Sequence, residues 1–154
     1  MTRSRKTFVA CASGLLLAVT ACAGSGDATP RAEAGASVAV LDAWARPADQ
    51  GENTAVYLTV ENRGTTLDSL TGVSTEEAES AGVHASVQRD GMMHMEAMDA
   101  LPIPAGDRLV LAPLGRHVMM MRLRRPLAIG DSLSLALSLA SGGRVPVTAV
   151  VRAP

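Results

Sequence analysis

The sequence predicts an all-β domain over residues 38–154, an antiparallel sandwich or barrel, and three observations carry that prediction. Short apolar runs recur along the chain and are bounded by Gly, Pro, Asn and Asp. Several runs alternate apolar with small or polar residues, the period-2 mark of a strand with one buried face. Only one short stretch has helical character. Many short strands separated by turn residues favour two packed sheets or a closed one.

The elements follow in order. Val38-Ala39-Val40-Leu41 leads into Asp42-Ala43-Trp44-Ala45-Arg46-Pro47. Residues 55–60 alternate and stop at Glu61-Asn62-Arg63-Gly64, a turn signal. Residues 67–73 form the next run, and residues 76–80 are the one expected helical turn. Residues 83–88 and 92–98 flank Arg89-Asp90-Gly91, and Asp-Gly is a strong two-residue hairpin signal. Runs at 108–111, 117–123, 133–139 and 145–151 complete the set; in the third of these Leu133, Leu135, Leu137 and Leu139 alternate with Ser or Ala.

The residues before the domain read as an export and anchoring device. Arg3, Arg5 and Lys6 precede an apolar stretch from Phe8 to Val19, too short to span a bilayer as a mature helix. It ends in Val19-Thr20-Ala21-Cys22, which resembles the lipobox of bacterial lipoproteins. The expectation is a signal peptide over 1–21 and a lipidated Cys22 holding the protein at the extracytoplasmic face of the cell membrane, in the periplasm or at the cell surface. Residues 22–37, the anchor and a small, polar stretch, are expected to form a flexible tether. Export by the general secretory route is expected, since the second arginine of a twin-arginine signal is missing.

Composition then excludes whole classes of function. A net charge of −1 without a basic stripe in the domain argues against nucleic acid. Of the two cysteines, Cys11 lies in the apolar stretch and Cys22 at its end, so the domain has no thiol for a disulfide, a thiolate ligand or a nucleophile. No nucleophile-elbow motif or grouped acid–base pair stands out, which disfavours a hydrolase and points to binding without catalysis.

The unusual feature is where the soft ligands lie. All three histidines, His84, His94 and His117, fall between 84 and 117, and seven of the eight methionines fall between 92 and 121. A Met in a strand is ordinarily core filler, and a lone His ordinarily a hydrogen-bonded structural residue. The pattern matters more than any one residue. If Asp90-Gly91 centres a two-residue turn, Arg89 pairs with Met92, Gln88 with Met93, Val87 with His94 and Ser86 with Met95. His84, Ser86, Gln88, Met93, Met95 and Ala97 then share one face, and His94 lies on the other with Val83, Val87, Met92 and Glu96. His84 and Met95 become diagonal neighbours. His117 and Met119, two apart, point to one face of their own strand. Two His-plus-Met pairs could meet on one ion if their strands are adjacent. Thioethers select Cu(I) over Zn²⁺, Ca²⁺ or Mg²⁺, and four neutral ligands favour a modest, transferable hold.

The order His84, ten residues, Met95, twenty-one residues, His117, one residue, Met119 resembles the H-x10-M-x21-H-x-M pattern of the PCu(A)C family of extracytoplasmic copper chaperones. Further likeness lies in Asp42-Ala43-Trp44-Ala45-Arg46-Pro47, in residues 55–60, in Ile103-Pro104-Ala105-Gly106, and in Arg125-Pro126-Leu127 followed by Gly130-Asp131. The resemblance implies a cupredoxin-like Greek-key β-sandwich or barrel, Cu(I) as the bound ion, and delivery to the copper centre of cytochrome c oxidase. The expected copper recipients are oxidase subunit II or an intermediate thiol copper chaperone. Two departures stand out: the extra soft residues Met92, Met93, His94, Met120 and Met121, of which Met93 and Met121 share the ligand face, and final residues Arg152-Ala153-Pro154 without the His- or Met-rich tail some members carry. Other readings are surface copper buffering or acquisition, a metal-free β-sandwich interaction domain, and an electron-transfer cupredoxin, which would need the cysteine this domain lacks.

Overall fold

The structure, a computed structural model, describes residues 37–154. The expected signal peptide, lipidated Cys22 and all but the last residue of the tether lie outside the described residues. Ten strands follow: β1 Val38–Ala45, β2 Thr54–Asn62, β3 Asp68–Ser74, β4 Ala78–Arg89, β5 Met92–Met98, β6 Leu101–Ile103, β7 Arg108–Leu111, β8 Arg116–Leu123, β9 Ser132–Leu139 and β10 Arg144–Val151. There is no α-helix among the described residues. The fold is the all-β, cupredoxin-like one that the sequence predicts.

The strands hydrogen-bond in the order β5-β4-β8-β2-β1-β10-β9-β3-β6, and β7 adds to β2. One edge of β2 serves two partners: residues 54–56 pair with β8, and residues 58–61 pair with β7. Strand β1 stays paired with β2 through Ala45, while its other edge, at Trp44 and Ala45, pairs with Val150 and Val151 of β10. That β1–β10 ladder is parallel, the single exception to the expected antiparallel pattern among the described ladders. The β1–β2 register shifts between Leu41 and Trp44, where Asp42 sits at φ 52°.

Period-2 alternation explains the core. Leu133, Leu135, Leu137 and Leu139 of β9 are buried, as are Val145, Val147, Ala149 and Val151 of β10. They join Val56, Val60, Leu70, Ile103, Val118 and Met120 in one hydrophobic cluster. At roughly 1.5–3 kcal/mol per fully buried large side chain, this cluster is the main favourable contribution to folding. Asn62, 1% exposed, is satisfied there: its Nδ2 donates to the Thr66 and Ile103 carbonyls, and its Oδ1 accepts from the Gly64 N–H.

Two local expectations are corrected. The helical turn at residues 76–80 is not formed: Ala78, Glu79 and Ser80 begin β4, with Ala78 opposite Leu123 and buried in the core. Local helix preference of the Glu-Glu-Ala-Glu run is overridden by pairing with β8, which Glu77–Arg125 and Glu79–Arg122 ion pairs accompany. Strand β6 went unforeseen because three residues, with Pro102 in the middle, give periodicity nothing to act on. It sits at a sheet edge, where proline is tolerated.

Candidate metal centre

The Asp90-Gly91 turn forms with both residues at positive φ, 53° and 78°, which is what a type I′ hairpin requires. The register is the one expected: Arg89 opposite Met92, Gln88 opposite Met93, Val87 opposite His94 and Ser86 opposite Met95. His84 faces Ala97 and is therefore diagonal to Met95. His94 falls on the opposite face, beside Val87, away from the other two histidines.

The adjacency that the sequence could not supply is present. Strand β8 pairs with the other edge of β4, placing His117 directly opposite His84 and Met119 opposite Gly82. The two imidazoles are stacked, centroids 6.4 Å apart at an interplanar angle of 27°. On these strands Val83, Val118 and Met120 point into the core, so alternation turns His84, His117 and Met119 to the other face. His84 is the hub. His117 stands across from it, Met95 is its diagonal neighbour on one side, and Met119 on the other. Diagonal neighbours lie about 7–8 Å apart at the backbone, within reach of long side chains.

Each ligand candidate is held differently. His117 is 3% exposed. Its Nδ1 lies 3.1 Å from the Gly115 carbonyl oxygen, so the Nδ1–H tautomer donates there and leaves Nε2 with a free lone pair. The Gly115 oxygen also accepts the Ser86 N–H at 3.1 Å, tying β4 to the loop before β8. Leu114 gives that loop its turn at φ 63°, an uncommon conformation for a residue with a side chain. His84 contributes a buried Nδ1 with no hydrogen-bond partner, the one such side-chain atom among the described residues. A buried unpaired nitrogen is costly unless something supplies its missing contact, and a metal ion would do so.

Gly82 is part of the site by virtue of what it lacks. A Cβ there would sit 3.6 Å from Cε1 of His84, and its absence keeps open the space between Met119 and that ring. Met95 is 55% exposed, and its sulfur accepts a hydrogen bond from the Ser86 hydroxyl at 3.5 Å. Met119 is half-buried.

Met95, His117, Met119 and Ser86 line one open depression of about 430 Å³; His84, paired with His117, is not among its lining residues. The rim comes from the β1–β2 connection and from Pro113 and Leu114. Sequence reasoning missed this rim, including the opposite charges Arg46 and Glu52, because loop residues far apart in the chain carry no periodic signal. Beyond His117 the same face continues through Tyr57, centroid 6.2 Å from His117, to Trp44, 4.6 Å from Tyr57, on which the Arg152 guanidinium stacks at 4.5 Å. The Trp44 and Tyr57 segments singled out in the sequence thus form the wall of the site.

No group of three or more His, Cys, Asp or Glu able to hold a metal occurs among the described residues. The donor set around His84 is two imidazoles and two thioethers, which suits a soft monovalent ion and gives a hard one little to bind. The extra methionines separate clearly. Met120 is fully buried core. Met93 and Met121 share the face but pair with Gln88 and Ser80, eight residues apart along β4. That is about 26 Å at strand rise, so these two cannot hold one ion between them.

The chain is similar to known proteins in sequence and in fold. The family model described as "Putative lipoprotein LpqE-like" matches residues 38–151. The protein named "Putative lipoprotein Lxx21020", from Leifsonia xyli subsp. xyli, is 36% identical over 152 residues, covering 96% of this chain and 89% of its own. Among solved structures, the copper-bound PCuAC domain from PmoF2 superposes with a TM-score of 0.64 at 25% identity, covering 77% of this chain and 94% of that one. The solution structure of CuI-DR1885 from Deinococcus radiodurans gives a TM-score of 0.57 at 32% identity, covering 78% and 83%. The chain belongs to the LpqE-like family, and residues 38–151 form a PCuAC-type domain.

Proposed function

We propose that this protein is a Cu(I)-binding metallochaperone that holds its ion with His84, Met95, His117 and Met119 and passes it on by ligand exchange. The observation that carries the reading is the β4–β8 register, which sets His84, with its buried and unpartnered Nδ1, opposite His117 and diagonal to Met119 as it is to Met95. Structures of related domains, one copper-bound and one CuI-bound, support copper as the cargo. The donor set supports the cuprous state, since thioethers bind Cu(I) and give Cu(II) little stabilisation.

Ligand exchange breaks and makes only metal–ligand bonds, so no enzyme activity is proposed. A receiving protein must reach the ion and replace its ligands one at a time. The open depression and the exposed Met95 allow that approach, and they favour delivery over closed storage. We place the protein at the extracytoplasmic face of the membrane, anchored through Cys22. The lipoprotein name of its relative and the small-residue sequence before Cys22 support this placement. The copper centre of cytochrome c oxidase, reached directly or through a thiol copper chaperone, is the proposed destination. An oxidising compartment suits a site built without cysteine.

Anaerobic Cu(I) competition titrations of the wild type and of His84→Ala and His117→Ala test the binding reading. One tight equivalent is expected for the wild type, with each variant weakened by at least about 10- to 100-fold, the range already seen for losing an outer-shell partner. Unchanged affinity in both variants would remove the histidine pair from the site. Oxidase copper loading in a strain lacking the gene tests the destination.

A further inference from the structure

The β4–β5 hairpin reaches out from the domain: from Met92 to Ala97 every residue of β5 is exposed, on both faces. Met93 is 56% exposed and Met95 55%, so neither fills the core, and an exposed thioether gains nothing from packing. The register puts both on the ligand face, two residues apart along an edge strand. That spacing is about 6.6–7 Å at the backbone, and two flexible four-atom side chains can close it around one ion. Met95 is thereby shared: it neighbours His84 on one side and Met93 on the other. Its sulfur rests on the Ser86 hydroxyl, a weak contact that either position could displace. Met92 and His94 lie on the hairpin's other face and do not connect to the site.

We propose that Met93 and Met95 form a second, weaker Cu(I) site on the hairpin, the position through which the ion enters and leaves, with Met95 exchanging between it and the principal site. The inference rests on the copper reading above. Two thioethers without imidazole should bind at least about tenfold more weakly than the principal donor set. The bound ion would remain accessible to an acceptor, while the buried His117 holds the inner position.

The test uses the full chain with its methionine methyl groups isotopically labelled and Ag(I) as a redox-inert stand-in for Cu(I), followed by NMR. The first equivalent should move the Met95 and Met119 methyls. Excess Ag(I) should then move the Met93 and Met95 methyls together in a weaker second phase, and Met93→Leu should abolish that phase at Met95. A responsive Met119 with a motionless Met93 sinks this proposal alone, as does a second phase at Met95 that persists in Met93→Leu. A silent Met119 sinks the principal-site reading and this proposal with it.

Discussion

Met119→Leu is the substitution that best separates binding from folding. The two side chains have nearly the same volume, and Met119 is half-buried on the outer face, so the metal-free domain should lose less than about 1.5 kcal/mol. The thioether, however, is gone. If the sulfur is a ligand, Cu(I) affinity should fall by about 10- to 100-fold, or about 1.4–2.8 kcal/mol. Linkage turns this into a melting shift. At free Cu(I) about 100 times the wild-type Kd, binding stabilises the wild type by about 2.7 kcal/mol, and a hundredfold weaker variant by only about 0.4 kcal/mol. With roughly 4 °C per kcal/mol for a domain of this size, the copper-induced rise in Tm should shrink by roughly 9 °C. Anaerobic thermal denaturation with and without buffered Cu(I), alongside chelator competition, measures both quantities. Met121→Leu is the control, because Met121, although two residues from Met119, does not line the depression and should leave the rise intact. Equal copper-induced shifts in Met119→Leu and the wild type would refute the assignment of this sulfur.

Two further predictions use other parts of the structure. Gly82→Ala should be tolerated, since its Cβ meets Cε1 of His84 at an ordinary 3.6 Å, whereas Gly82→Val should weaken Cu(I) on the order of tenfold by filling the space beside that ring; equal affinity for both variants would show that the gap is not used. Burial tends to raise the Asp68 carboxyl, but the Ser141 hydroxyl and the backbone N–H groups of Ser69 and Ser141 outweigh it and hold the pKa below its ordinary value. Its stabilising contribution is therefore present above the unfolded-state pKa near 3.9 and is lost as pH falls through the lower folded value. Asp68→Asn should cost about 1.5–3 kcal/mol at pH 7, and urea midpoints of the two proteins should converge in acid; a gap that stays constant with pH would count against this.

Strand positions were legible wherever alternation ran for five residues or more, as in Leu133 to Leu139. The hairpin was legible down to its register because Asp90-Gly91 fixes the turn, and the turn fixes every pair beyond it. What the sequence could not show was which strand lies beside β4. The pairing of His84 with His117 joins residues more than thirty apart, and only the sheet order makes them neighbours. The parallel β1–β10 contact, the three-residue β6 and the Arg46–Glu52 rim were hidden for the same reason, being set by tertiary packing. Residues 76–80 failed in the opposite direction, where a local signal was present and lost to a long-range partner.

The placement of the ligand candidates within the sheet accounts for both holding and releasing an ion. His84 and His117 lie on β4 and β8, strands paired on both edges, and the inner faces of those strands are buried core. Moving either histidine would disturb that core, so the imidazole pair is effectively fixed. Met95 lies on β5, paired on one edge only and contributing nothing fully buried, so its position can change at little cost. A site of four fixed ligands would release its ion only by distorting the fold; one of four mobile ligands would need ordering each time it bound. Two anchored imidazoles with a loosely held thioether at the edge avoid both costs. The order of exchange follows: an acceptor arriving at the open side meets Met95 before the 3%-exposed His117. Release should therefore be faster in Met95→Leu than in the wild type and should respond far less to changes at Met121.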